Sequence, residues 1–220
     1  MVAVPEDIHP APQRHRGGLN GEAPLVRRYT IEEFVAVAEA LPDDRLELIN
    51  GEIVMAPPPD LIHMQLTDHL LEILADHLKA IRSLNCRLSG SRYYEVPKTP
   101  EDRWGAEGVS GLHEVCPDVS IYYRDYLKKR RRPPAPLVIE VLSVSHRVHI
   151  DRDLVTKPEI YAALEIPVYW VIDRRDRSVW VHTAPEDGKY TRLAQYKGRR
   201  RLLAPGLEFL AITPAQIFAD

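Results

Sequence analysis

The sequence predicts an α/β protein, a mixed β-sheet flanked by helices, and three observations carry that expectation. Leu137-Val138-Ile139-Glu140-Val141-Leu142 is an almost unbroken apolar run of strand length, as expected of a strand covered on both faces. Ile62, Leu66, Leu70, Leu74 and Leu78 recur four apart, which places them on one face of a long helix. Strand-like runs precede and follow a second helical stretch without any internal repeat, and that order builds a mixed sheet.

In chain order, residues 1–28 mix Pro, Gly, His and Arg in no period and read as a flexible tail, with residues 29–220 as one domain. Thr30 is an N-cap with Glu33 at the capping-box position, and Tyr29 and Phe34 are spaced as a hydrophobic staple. The helix they open stops at Pro42. Leu46–Ile49 and Glu52–Met55 flank Asn50-Gly51, a pair that tolerates positive φ and so marks a tight hairpin. Pro57-Pro58-Pro59 ends the hairpin, and Asp60 caps the leucine helix, which runs to about Ile81. A strand is expected around Arg92 to Val96, then a polar loop through Trp104 and Gly111. Val115 to Tyr123 alternates imperfectly and reads as a strand, followed by Leu137–Leu142. A helix over Asp153 to Leu164 precedes strands at Val168–Ile172, Ser178–His182 and Tyr190–Tyr196, and Thr213-Pro214 opens a short last helix.

Composition bounds the function. With 220 residues, 45% hydrophobic and 28% charged, the chain is long enough to bury a real core and is not disordered as a whole. No stretch approaches the roughly 20 apolar residues that span a bilayer, and the N-terminus has no apolar signal core, so a cytoplasmic location and no membrane partner are expected. A net charge of −3 excludes a strongly basic nucleic-acid glove but leaves room for local patches at Lys128–Arg132 and Arg199–Arg201. Cys86 and Cys116 have no paired spacing and read as buried small hydrophobes.

Glu140 is the most telling residue. Its neighbours all demand burial, and an unpaired carboxylate among them would cost several kcal/mol. A salt bridge or a bound cation would compensate it. Asp118, following Pro117 at the head of Val119-Ser120-Ile121, is either a strand-entry aspartate or a second ligand for the same cation. Magnesium takes one or two carboxylates, with waters and phosphate oxygens completing its shell.

Pro117-Asp118 followed by Glu140-Val141-Leu142-Ser143 resembles the Pro-Asp … Glu-x-Lys signature of the restriction-endonuclease-like superfamily. The wider pattern resembles one branch, the Uma two family of restriction endonucleases. It comprises Glu47-Leu48-Ile49-Asn50-Gly51-Glu52, His63, Pro117-Asp118, Glu140-Val141-Leu142-Ser143, Lys157 with Tyr161, Ile166–Asp173 and Pro205-Gly206-Leu207. The resemblance implies a restriction-endonuclease-like fold and a magnesium-dependent endonuclease, with manganese able to substitute, acting on nucleic acid, DNA above all. Asp118, Glu140 and the carbonyl of Val141 would hold the metal. Leu142 stands where the signature has lysine, so the resemblance assigns that role to Lys157. Glu47 would be a further acidic contributor, and His63 would contact phosphate or shuttle a proton. The basic runs would hold the nucleic-acid backbone, and a homodimer would suit the cutting of two strands. His69, His77, His146 and His149 have no ligand spacing and read as structural. Two other readings stay open: a catalytically inactive nuclease-fold module for nucleic-acid binding or assembly, and a metal-free hydrolase using Asp118 and Glu140 as an acid–base pair.

Overall fold

A computed structural model describes residues 27–80, 86–90, 94–95, 113–123, 134–144 and 147–219. The expected tail up to residue 26, the loop through Trp104 and Gly111, the basic run at Lys128–Arg132, His146 and the side chain of Cys86 lie outside the described residues.

Local chemistry sets the first elements. Helix α1 (Ile31–Ala40) opens on a reciprocal box: Glu33 N donates to Thr30 Oγ1 at 3.2 Å, and Thr30 N donates to Glu33 Oε2 at 2.9 Å. Strands β1 (Leu46–Ile49) and β2 (Glu52–Met55) form the hairpin, and Asn50 and Gly51 take φ of 53° and 76° in its turn. Helix α2 (Leu61–Ala80) is capped by Asp60, whose Oδ1 accepts from His63 N at 2.9 Å.

The later strands are β3 (Cys86–Gly90), β4 (Tyr94–Glu95), β5 (Glu114–Val115), β6 (Val119–Tyr123), β7 (Leu137–Val141), β8 (Val168–Asp173), β9 (Ser178–Glu186) and β10 (Lys189–Lys197). Between β7 and β8 runs a continuous helical segment: α3 (Arg147–Asp151), a π-helical turn (Arg152–Thr156) and α4 (Lys157–Ala163). Helix α5 (Pro214–Ile217) carries its own capping box, Thr213 with Gln216.

The strands divide into two sheets. The larger has the order β10-β9-β8-β7-β6-β3 and is mixed, since β7 and β8 run parallel and their neighbours antiparallel. The smaller is antiparallel, in the order β2-β1-β5-β4. Leu137, Ile139 and Val141 of β7 join the Leu70 and Leu74 side of the core, under α2. Val138 and Leu142 join the other side, with Ile160, Tyr161 and Leu164 of α4. A mixed sheet flanked by helices is therefore the fold.

Four local expectations change. The stretch Val115–Tyr123 is two strands in different sheets, because Pro117 has no N–H to give to a ladder and the chain crosses between the sheets there. β3 went unread, although Cys86-Arg87-Leu88-Ser89 alternates apolar and polar residues over its short length. The second helix begins at Arg147 rather than Asp153, and its stretch Arg152–Thr156 is a widened, π-helical turn. Pro158 explains the widening: it has no N–H for the preceding turn and its ring needs room. Ile62 is exposed, whereas Leu70 and Leu74 are fully buried. A four-residue step overshoots the helical repeat by about 40°, so a long run of such steps drifts off the buried face.

Candidate active site

The alternation of β7 places Glu140 on the same side as Val138 and Leu142, facing the broken helical segment rather than α2. At the entry to the adjacent strand, Asp118 sits where Pro117 delivers the chain into β6. Its Oδ2 accepts from Val141 N at 2.8 Å and lies 3.0 Å from His63 Nε2. Asp118 Oδ1 lies 2.9 Å from Arg45 Nη1. Glu47 comes from β1 of the smaller sheet, and its Oε1 accepts from Cys116 N at 3.0 Å. The cleft thus lies where the two sheets meet.

Lys157 is the hub. Its Nζ donates to Glu140 Oε1 at 2.6 Å and lies 3.0 Å from Glu47 Oε1 and 3.6 Å from Asp153 Oδ1. Tyr161, one turn on, donates its hydroxyl to the same Glu140 oxygen at 2.8 Å. The π-helical turn brings Asp153 into this cluster. Lys157 N reaches back five residues to the Arg152 carbonyl, and Tyr169 of β8 donates its hydroxyl to the Asp153 carbonyl at 2.8 Å.

Burial and charge pull in opposite directions here. Burial, opposed by Lys157 and reinforced by Asp118 and Glu47, pushes the Glu140 carboxyl up to about 7. Asp153 rises to about 6 for the same first reason, and burial also raises Asp118 against the pull of Arg45. Glu47 goes the other way: burial resists, but Lys157 and Arg152 together hold it below the ordinary carboxylate range. Burial would strip the proton from Lys157, yet Glu140, Glu47 and Asp153 hold its ammonium well above the usual lysine value. Burial lowers His63 below its ordinary range.

A cleft of about 270 Å³ opens onto these groups. Four buried carboxylates, Glu47, Asp118, Glu140 and Asp153, line it together with the cations Arg45, Arg152 and Lys157. Glu47 Oε2 and Asp153 Oδ1 are buried without a hydrogen-bond donor. Among the described residues no three Asp, Glu, His or Cys side chains converge into a ready-made metal cage. Magnesium needs no cage, and Asp118 with Glu140 meets its demand for one or two carboxylates. The donor set and the unpartnered buried carboxylate oxygens fit a divalent cation.

The residues expected from the sequence come together: Asp118, Glu140, Val141, Lys157, Glu47 and His63 all border this one cleft. Arg199–Arg201 does not border it. These arginines are exposed after β10, with the Arg200 guanidinium 4.5 Å from the centre of the Tyr196 ring. The cations at the cleft are instead Arg45, Arg152, Lys157 and Arg174, the last in a two-pronged pair with Asp60 at 2.6 and 2.5 Å. Arg45, Arg152 and Asp153 went unread. Arg45 stands two residues before Glu47, on the same side of an extended chain, and Asp153 stands four before Lys157 on a helix; those spacings were the available signals. Cys116 is buried as expected, and burial pushes its thiol up to about 12.

No curated protein matches the chain. A solved structure does: the crystal structure of a putative nuclease belonging to DUF820 from Anabaena variabilis ATCC 29413, at a TM-score of 0.62 and 17% identity. The match covers 86% of this chain and 97% of that one, and it establishes a shared fold. Among the described residues no helix is long and apolar enough to cross a membrane. The family model Uma2, described as "Putative restriction endonuclease", matches residues 31–215. Because that match spans every charged group of the cleft, from Arg45 to Arg174, this nuclease-like chain belongs to the Uma2 family.

Proposed function

We propose that the chain is a metal-dependent endonuclease that hydrolyses phosphodiester bonds in nucleic acid, DNA above all. The observation that carries this reading is the meeting of Asp118 and Glu140, from neighbouring strands, with Lys157 in one cleft. Asp118, Glu140 and the Val141 carbonyl would hold magnesium, or manganese in its place. A bound divalent cation supplies Lewis acidity at the scissile phosphate and a more acidic attacking water.

The side chains divide the remaining work. Lys157 stays protonated under the hold of Glu140, Glu47 and Asp153, so it orients and stabilises charge rather than accepting a proton. Tyr161 fixes the Glu140 carboxylate through its hydroxyl. His63 braces Asp118 from the first turn of α2. Arg174 and Arg152 border the same cleft, where a phosphate backbone would compete with Asp60 and Glu47 for their guanidinium groups.

Cleavage of supercoiled plasmid and of single-stranded DNA, with MgCl₂ or MnCl₂ and with an EDTA control, tests the reading. Wild-type cutting that needs metal and falls at least about a hundredfold in Glu140→Gln is expected. Cutting that survives EDTA would instead favour a carboxylate pair acting alone. A folded protein inert under every condition would favour the binding-module reading.

A further inference from the structure

Arg45 leaves the turn after α1 and sits directly on a candidate metal ligand. Its Nη1 lies 2.9 Å from Asp118 Oδ1, and its Nη2 donates to the Cys116 carbonyl at 2.7 Å. Its Nε is buried with no hydrogen-bond partner. The other Asp118 oxygen already accepts from Val141 N and meets His63, so Oδ1 is the oxygen with room for a cation, and Arg45 is on it.

A dication and this guanidinium cannot share the oxygen comfortably. The lone pairs of one carboxylate oxygen diverge by about 120°, so a magnesium ion at its usual distance of about 2.1 Å would stand about 4 Å from the Arg45 nitrogen. In a buried site, like charges at that separation repel strongly. Arginine does not relieve the repulsion by losing a proton, so it must move.

We propose that Arg45 is a place-holder for the divalent cation: its guanidinium balances Asp118 in the metal-free protein and leaves Asp118 when the cation binds. The proposal rests on the reading of Asp118 as a metal ligand. It makes Arg45 a positioning residue that holds the carboxylates together before metal arrives. The same contact holds down the cleft's metal affinity in the absence of nucleic acid.

Calorimetric titration with MnCl₂, without nucleic acid, of the wild type, Arg45→Gln and Asp118→Asn tests it. Arg45→Gln is expected to bind manganese roughly tenfold more tightly than wild type and, free of metal, to melt at a lower temperature. Asp118→Asn is expected to lose that binding. Equal or weaker binding by Arg45→Gln, with Asp118→Asn impaired, overturns the place-holder and spares the metal site. Unchanged binding by Asp118→Asn overturns the ligand reading and the place-holder with it. Should Arg45→Gln fail to fold, nitrogen NMR of the wild type decides: saturating MgCl₂ must shift the Arg45 Nε–H signal, assigned by its loss in Arg45→Lys. A signal that stays in place overturns the proposal.

Discussion

Two helical segments cover opposite faces of the larger sheet, and they are built on different rules. Helix α2 is regular for 20 residues, and it meets the sheet through Leu70 and Leu74, fully buried, with Leu66, Leu71, Ile73 and Leu78 beside them. The segment Arg147–Ala163 is broken by a π-helical turn and puts Asp153 and Lys157 into the interior alongside Tyr161. Apolar packing rewards an undisturbed period, since any side chain of fitting volume on the right face contributes. A charge cluster rewards particular directions, and the wider turn aims Asp153 and Lys157 at one point. Its stability is also more brittle, because each buried charge relies on its partners.

The sharpest way to break this contrast is Lys157→Met. Removing the ammonium leaves Glu140, Glu47 and Asp153 facing one another without it, and a loss of about 3–5 kcal/mol in urea unfolding at neutral pH is expected. A loss much smaller than this would mean that the cluster is held by its backbone rather than by charge. Leu74→Ala, on the opposite face, is expected to cost about 3 kcal/mol by opening a cavity, while divalent-cation binding stays as in the wild type. Altered cation binding in that variant would show the two faces to be coupled.

A smaller effect sharpens the comparison by pH. His182 of β9 lies on the α4 side, its ring 5.4 Å from that of Tyr169 and 5.5 Å from that of Tyr190, and burial lowers it from 6.5 to about 4. Between those values the unfolded chain binds the proton that the folded chain refuses. The His182 contribution is therefore fully present above about pH 6.5 and is lost as pH falls toward 4. The difference between wild type and His182→Phe isolates it from the carboxylates: the wild type is expected to lose about 2 kcal/mol more than the variant between pH 7 and pH 5. Parallel acid limbs for the two proteins would show that His182 protonates freely in the folded state.

How much was legible follows the range of the interactions involved. The Thr30–Glu33 box, the Asn50-Gly51 turn, the Asp60 cap and the Thr213–Gln216 box each depend on at most four neighbouring residues, and each stands where those residues put it. Glu140 was conspicuous because a carboxylate interrupts an apolar strand. Arg45 and Arg152 were not, because an arginine beside polar residues looks the same whether it faces solvent or a carboxylate seventy or a hundred residues away. The split at Pro117 escaped notice as well, since Val115 and Val119 differ only in the sheet they join.

By itself, then, the sequence determined where the capped helices and the Asn50-Gly51 turn begin, which strands must be covered on both faces, and that Glu140 needs a compensating charge. These follow from solvation and local backbone geometry, which act on each stretch separately. Only the tertiary structure decided which charge that is. Lys157 reaches Glu140 through a widened helical turn, Glu47 joins them from a second sheet, and Arg45 closes on Asp118 from the turn before β1. Those meetings depend on how the sheets dock, and buried charges are satisfied by whichever partners the docking brings within a few ångströms.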